Sequence, residues 1–204
     1  MNSIVIVDYG LGNLYSIYKS LNRLNVKSDI SSDISVISKA CKLILPGVGH
    51  FKRGMQNLTE MSLIETLRQK ITVDKTPILG ICLGAQLMAK HSEEGNCKGL
   101  GFIDANVVKF NICDKKRYKV PHMGWNNAIV NKNVLNYSNL NNEEFYFVHS
   151  YHLVCRDTSD IWMTTEYEYK FTSAVNKENI YGVQFHPEKS HDAGLNLLSA
   201  FLKL

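Results

Sequence analysis

Pro77-Ile78-Leu79-Gly80-Ile81-Cys82-Leu83-Gly84-Ala85-Gln86 runs from apolar, β-branched residues into a cysteine set between two glycines. The residues before the cysteine read as a buried strand over 77–81, and those after it as a helix over 84–91. Glycines on both sides of a reactive side chain at such a junction have a physical reason. The turn is tight, bulky neighbours would clash, and the side chain is pushed up from the sheet. Backbone N–H groups at the start of the helix point toward it and favour an anion there. A structural cysteine buried in a Gly-flanked turn fits the same stretch, because free cysteines are usually small core residues.

Working outward, the first half of the chain repeats this strand–helix alternation. Ile4 to Val7 reads as a strand, followed by the Gly-rich loop 8–13 and a helix carrying Leu14, Ile17, Leu21 and Leu24. Lys42 to Leu45 reads as a second strand closed by Pro46-Gly47-Val48-Gly49, then one helix with Met55, Leu58, Leu63, Ile64 and Leu67. Such alternation predicts a mostly parallel sheet with helices on both faces. After Gly101 the pattern becomes strand-rich: 128–130, 145–148, 151–155, 161–167 and a hairpin over 171–185 turning at 176–179. Ser190 to Leu204 reads as a closing helix, and the Asn-rich segment 131–143 as a flexible surface loop. With no linker or repeat in view, residues 1–204 read as a single α/β domain.

The bulk numbers exclude several classes. A formal charge of +4 is mild, and the basic residues are scattered, so no nucleic-acid footprint is expected. No apolar run approaches bilayer length, and the amino-terminal stretch lacks a basic lead, so neither a membrane span nor a signal peptide is expected. The 5 cysteines are odd in number and none has C-x-x-C spacing. That predicts a reduced, cytoplasmic protein with no disulfide framework and no metal site or other cofactor.

A second chemical stretch, Gln184-Phe185-His186-Pro187-Glu188, falls at the end of a predicted strand. Alternation along a strand would put His186 and Glu188 on one side, where the acid can hold one ring nitrogen and leave the other for proton exchange. A histidine at a strand end is more often structural. What favours chemistry is Cys82 at the end of another strand, since strand carboxyl ends make the crevice in open α/β sheets.

GICLGAQ at 80–86 and GVQFHPEKS at 182–190 resemble the motifs of the triad, or class I, glutamine amidotransferases. A closer resemblance, to the glutaminase subunits of imidazole glycerol phosphate synthases, rests on six more segments. These are VDYGLGNLYSI at 7–17, LPGVGHF at 45–51, SEEG at 92–95, GLGFI at 99–103, VPHMGWN at 120–126 and YFVHSYH at 146–152. The resemblance spans the chain. It implies a flavodoxin-like α/β fold with extra antiparallel strands in the second half. It implies a Cys82–His186–Glu188 triad that hydrolyses L-glutamine, an oxyanion site from Gly47, Val48, Gly49 and Leu83, and glutamine contacts from Gln86, Glu94, Ser150 and Tyr151. It also implies a separate (β/α)₈-barrel subunit that receives the ammonia for histidine biosynthesis. The surface for that subunit would be Pro121, His122, Met123, Gly124, Trp125 and Asn126, with Tyr146 and Lys189. The same glutaminase chemistry serving a sugar amidotransferase of surface-polysaccharide synthesis is the alternative. Ala85 stands where the family often has Met, Tyr15 where a basic residue is common, and His50 where a small one is.

Overall fold

The apolar runs become strands buried at every position: β1 (Ile4–Val7), β3 (Lys42–Gly47), β4 (Ile78–Cys82) and β13 (Ile180–Val183). Burial on both faces is why these segments lack a polar alternation. In the computed structural model, which describes residues 3–135 and 142–204, they lie at the centre of a 13-stranded sheet. With the polar edge strand β2 (Ser28–Ser31), the parallel part runs in the order β2-β1-β3-β4-β13. That is the winding of a flavodoxin-like sheet.

Alternate side chains divide the interior into two layers. Ile4, Ile6, Ile44, Leu79 and Ile81 pack with Ile17 and Leu21 of α1 (Leu14–Arg23) and with Leu197, Leu198 and Phe201 of α6 (His191–Leu202). Val5, Val7, Leu43, Leu45 and Ile78 face the other way. They meet α2 (Ile34–Ile37), α3 (Phe51–Glu60), α4 (Leu63–Arg68) and α5 (Leu83–Leu87). Helices therefore cover both faces, as the alternation implied.

The second half adds the antiparallel strands. β12 (Tyr169–Lys177) pairs with β13, then come β10 (Tyr151–Cys155), β7 (Ala105–Lys109) and the short β5 (His91–Ser92) and β6 (Cys97–Lys98). β11 (Ile161–Tyr167) joins β12 to β8 (His122–Val130), which is antiparallel to β9 (Glu143–His149).

Three expectations need correction. The helix expected across Met55–Leu67 is two helices, because Ser62 takes a left-handed conformation with φ 58 and redirects the chain. The turn lets Leu63 and Leu67 bury in the same layer as Leu58. The helix expected to reach His91 stops at Leu87. The Leu87 and Ala89 carbonyls are taken by the N–H groups of Leu100 and Gly101, and residues 91–92 join the sheet instead. The last hairpin, β12 with β13, runs over 169–183, two residues earlier at each end than expected, and Phe185 lies beyond it. Of the segment 131–143, residues 136–141 lie outside the described residues.

Gly84 shows how tightly α5 is seated. A Cβ there would lie 1.8 Å from the Leu45 carbonyl oxygen, a backbone atom that cannot move alone. Gly84→Ala should lower unfolding stability by about 3 kcal/mol, the upper end for overpacking. Urea denaturation of the two proteins measures it, and equal midpoints would show that α5 lifts off the sheet at no cost.

Candidate active site

The seating of α5 fixes the cysteine. Cys82 is the last residue of β4 and the cap of α5, with φ 53 and ψ −112. A non-glycine residue with that φ is strained and persists only where its surroundings enforce it. The backbone is packed closely on both sides: a Cβ on Gly80 would come within 2.7 Å of the Ala85 backbone, so neither flanking glycine has room for a side chain. The Cys82 side chain does not cap the helix and is 7% exposed. Its sulfur accepts a hydrogen bond from Gln184 Nε2 at 3.6 Å.

His186 and Glu188 meet by a different route from the one alternation suggested. The strand ends at Val183, and His186 caps a 3₁₀ turn, Pro187–Lys189, with Pro at its first position. The turn brings Glu188 Oε1 within 2.8 Å of His186 Nδ1, both side chains almost wholly buried. The His186 N–H donates to the Tyr146 carbonyl, and Ser190 Oγ donates to the His186 carbonyl while accepting from the Tyr146 N–H. The turn is thereby clipped to β9.

A carboxylate on Nδ1 fixes the proton there and aims Nε2 away from Glu188. Nε2 is buried and has no hydrogen bond among the described residues. Burial opposes charging of this ring. The nearby Cys82 sulfur and the Glu188 carboxylate bonded to Nδ1 outweigh burial and push His186 up from 6.5 to about 10. An imidazolium at His186 is the state this arrangement favours at neutral pH.

A cavity of about 300 Å³ opens above the sulfur, enough for one amino-acid ligand, and Val48, Gly49, Cys82, Leu83, Gln86 and Glu94 line one side of it. Ser150 and Tyr151 line the other with Pro121, Val148 and His149. All the residues expected to contact glutamine thus border one space. Glu94 Oε2 accepts from the Phe51 N–H at 2.7 Å, which holds the carboxylate at the start of α3. Gln86 uses Nε2 to donate to the Tyr151 carbonyl and to Gln184 Oε1, and its Oε1 accepts from no group among the described residues.

Gly47 pairs in register with Cys82, and Gly49 has φ 113. The N–H groups of Val48 and Gly49 donate to no backbone or side-chain group among the described residues. A Cβ on Gly47 would sit 2.2 Å from the Tyr9 hydroxyl, which is itself buried without a hydrogen-bond partner among the described residues. Burial raises the Tyr9 hydroxyl well above its ordinary value, and negative charge at Cys82 adds to it.

On β8 the alternation decides which expected surface residues are available. Met123 and Trp125 are exposed. Trp125 stacks on His191 at 4.9 Å and meets Tyr146 edge-on, while Lys189 lies over the Tyr146 ring. His122 does not belong to that surface: it is 3% exposed, points inward and contacts His149 at 3.0 Å. Gln184, His149 and Tyr9 were not singled out from sequence. Gln184 sat inside the histidine motif, two residues before His186, and its position was the available signal.

A buried thiol, an oriented imidazole, free N–H groups and a cavity for one amino acid suit acyl transfer from a small amide. Residues 5–203 match the family description "Glutamine amidotransferase class-I". The chain belongs to the class-I glutamine amidotransferases. This amidotransferase is 54% identical to "Imidazole glycerol phosphate synthase subunit HisH 2" of Methanococcus maripaludis, over 98% of each chain. It is 44% identical to the protein of the same name from Pseudomonas aeruginosa, over 98% of this chain and 99% of that one. Among solved structures, that of PurLQS from Thermotoga maritima superposes with a TM-score of 0.76 at 15% identity. That superposition covers 98% of this amidotransferase and 97% of the other chain, and shows the shared fold. Among the described residues no helix is long and apolar enough to cross a membrane.

Proposed function

We propose that the chain, as one domain, is the glutaminase subunit of an imidazole glycerol phosphate synthase. It would hydrolyse L-glutamine and pass the ammonia to a separate (β/α)₈-barrel subunit, in the cytoplasm. The observation that carries the chemistry is the His186 imidazole held on Nδ1 by Glu188, with its Nε2 unclaimed among the described residues and Cys82 near enough to raise the ring. The two named relatives carry the pathway, since they match this chain from end to end.

Cys82 Sγ attacks the side-chain amide carbon of glutamine. The negative charge on the amide oxygen falls to backbone N–H groups at Leu83 and in the 47–49 segment. His186 gives its Nε2 proton to the departing nitrogen, so ammonia leaves and a glutamyl thioester remains. Water, deprotonated by the same nitrogen, attacks the thioester and releases glutamate. Glu94 has the charge to hold the α-ammonium group, and Gln86 Oε1, Ser150 and Tyr151 complete the fit. Ammonia free in water would be protonated and lose its nucleophilicity, so a docked receiver is a chemical need. The exposed Met123, Trp125 and Lys189, with the half-buried Tyr146, are the surface we assign to it, with aromatic and Met residues of the kind enriched at contacts.

The free N–H groups of Val48 and Gly49 lead to an expected result. The oxyanion segment is incompletely arranged in the lone chain and becomes ordered in the complex. A structure of the lone chain with two N–H groups already converging above Cys82 would overturn this. The acceptor also has a direct test. Expressed with its own barrel partner, the chain should restore growth without histidine to a strain lacking this subunit. Failure despite good expression would favour sugar amidation. The numbered names of the relatives, "HisH 2" in both organisms above and "HisH 1" in Campylobacter jejuni, keep that second reading alive, because numbering marks more than one copy.

A further inference from the structure

The Tyr151 carbonyl oxygen, in the wall of the cavity, is a hydrogen-bond acceptor only. It receives two donors, His149 Nδ1 at 2.8 Å and Gln86 Nε2 at 2.9 Å. Those two bonds dictate the direction of every bond beyond them.

Along one arm, a neutral His149 with its proton on Nδ1 has an accepting Nε2. His122 Nδ1, 3.0 Å away, must therefore carry a proton and donate it. His122 Nε2 is then the acceptor, and Asn126 Nδ2 donates to it at 3.2 Å. The Asn126 amide cannot turn over. Its Nδ2 also donates to the Glu166 carbonyl, and its Oδ1 accepts from the Asn127 N–H. Along the other arm, the second Gln86 N–H goes to Gln184 Oε1 at 2.9 Å, which turns Gln184 Nε2 toward Cys82 Sγ.

We propose that Asn126, His122, His149, Gln86 and Gln184 are positioning residues of one directed hydrogen-bond relay. It ties the exposed strand at Trp125 to the Cys82 sulfur, and Asn126 sets its polarity. The proposal rests on the reading of Cys82 as the nucleophile. Asn126 follows Trp125 directly, so a partner that shifts β8 moves the first donor of the relay. The shift then reaches the Tyr151 carbonyl and the amide against the sulfur.

The relay works in one protonation state only. A second proton on His149 would face the Nδ1 proton of His122. Relieving that clash by moving the His122 proton to Nε2 would face it against the Asn126 N–H. Burial keeps both rings neutral: it lowers His122 to about 4, and it holds His149 well below the ordinary range, with the nearby His122, His152 and His186 adding to the effect. Buried chains of this kind specify one arrangement when every member is satisfied.

Asn126→Asp keeps the shape and replaces the donor facing His122 by an acceptor. The test uses the full chain with ¹⁵N-labelled imidazoles and reads tautomers by two-bond ¹H–¹⁵N correlation. Glutamine hydrolysis is measured in parallel with the synthase partner bound. The wild type should show His122 and His149 each protonated on Nδ1. Asn126→Asp should move the His122 proton to Nε2 and lower kcat/KM for glutamine by roughly tenfold, the scale expected of a displaced reacting group. Asn127→Asp, whose side chain faces the Asn142 carbonyl, should change neither reading. If Asn126→Asp does not fold, Gln184→Glu tests the other end. It should lower kcat/KM to a similar degree while the two histidine tautomers stay as in the wild type. Wild-type tautomers of the opposite sense, or a moved His122 proton with unchanged kcat/KM, would overturn the relay. A wild type with the expected tautomers and no glutamine hydrolysis would instead overturn the functional reading.

Discussion

Cys82→Ala abolishes glutamine hydrolysis, by at least about 10⁴-fold, while synthesis by the partner from added ammonium salt continues at the wild-type rate. The two halves of the result have separate causes. The hydrolysis needs a sulfur to form the thioester, and no other thiol lines the cavity. The synthesis needs only ammonia at the receiving site, and Cys82 lines a cavity that Met123 and Trp125 do not border. The strained φ of 53 at Cys82 is tolerable to alanine only as far as it is to cysteine, so folding is little altered. A second reading comes from the same variant. His186 is raised to about 10 by Cys82 and Glu188 against burial, so loss of the sulfur should bring the imidazole down, measurable by NMR titration. Loss of both activities with the complex still formed would refute the division of labour. An unmoved His186 would mean that the sulfur is not its partner.

The sheet was legible where its strands are apolar on both faces. Ile4–Val7, Lys42–Leu45 and Pro77–Ile81 could hardly be anything else, and the winding followed from their alternation with helices. β2 was missed because Ser28-Asp29-Ile30-Ser31 is a polar edge, held by pairing to β1 rather than by its own composition. β5 and β6 are two residues each and exist only because the chain folds back on itself. The site was legible in its residue types more than in its geometry. His186 and Glu188 do lie together, but a 3₁₀ turn rather than strand alternation brings them there. His122 was assigned to a surface because its neighbours in VPHMGWN are surface residues, and the period of β8 turns it inward. His149 carried no signal of its own, and Gln184 only its place two residues before His186. Their significance lies in which atoms they face, and that is a property of β9, β10 and α5 packed together.

Glu188→Gln should cost glutamine hydrolysis roughly 10²–10⁴-fold with little change in KM, because the acid acts through His186 and does not border the glutamine cavity. The carboxylate does two things that an amide does not. It accepts from Nδ1 without offering a competing N–H, and it supplies the charge that makes a buried imidazolium tolerable. With Gln in place, burial is opposed by Cys82 alone, and His186 should titrate below its wild-type value of about 10. The consequence for stability has a definite sign. His186 is raised in the folded protein from 6.5 to about 10, so its charged form stabilises the fold fully below pH 6.5. That contribution fades as pH rises through about 10, where the folded ring also loses its proton. The stability gap between wild type and Glu188→Gln should therefore be widest near pH 6 and narrow steadily toward pH 10. Denaturant unfolding at a series of pH values measures it. Parallel stability profiles across that window would show that Glu188 is not the counter-charge of His186, and its part in the proposed proton transfer would fall with it.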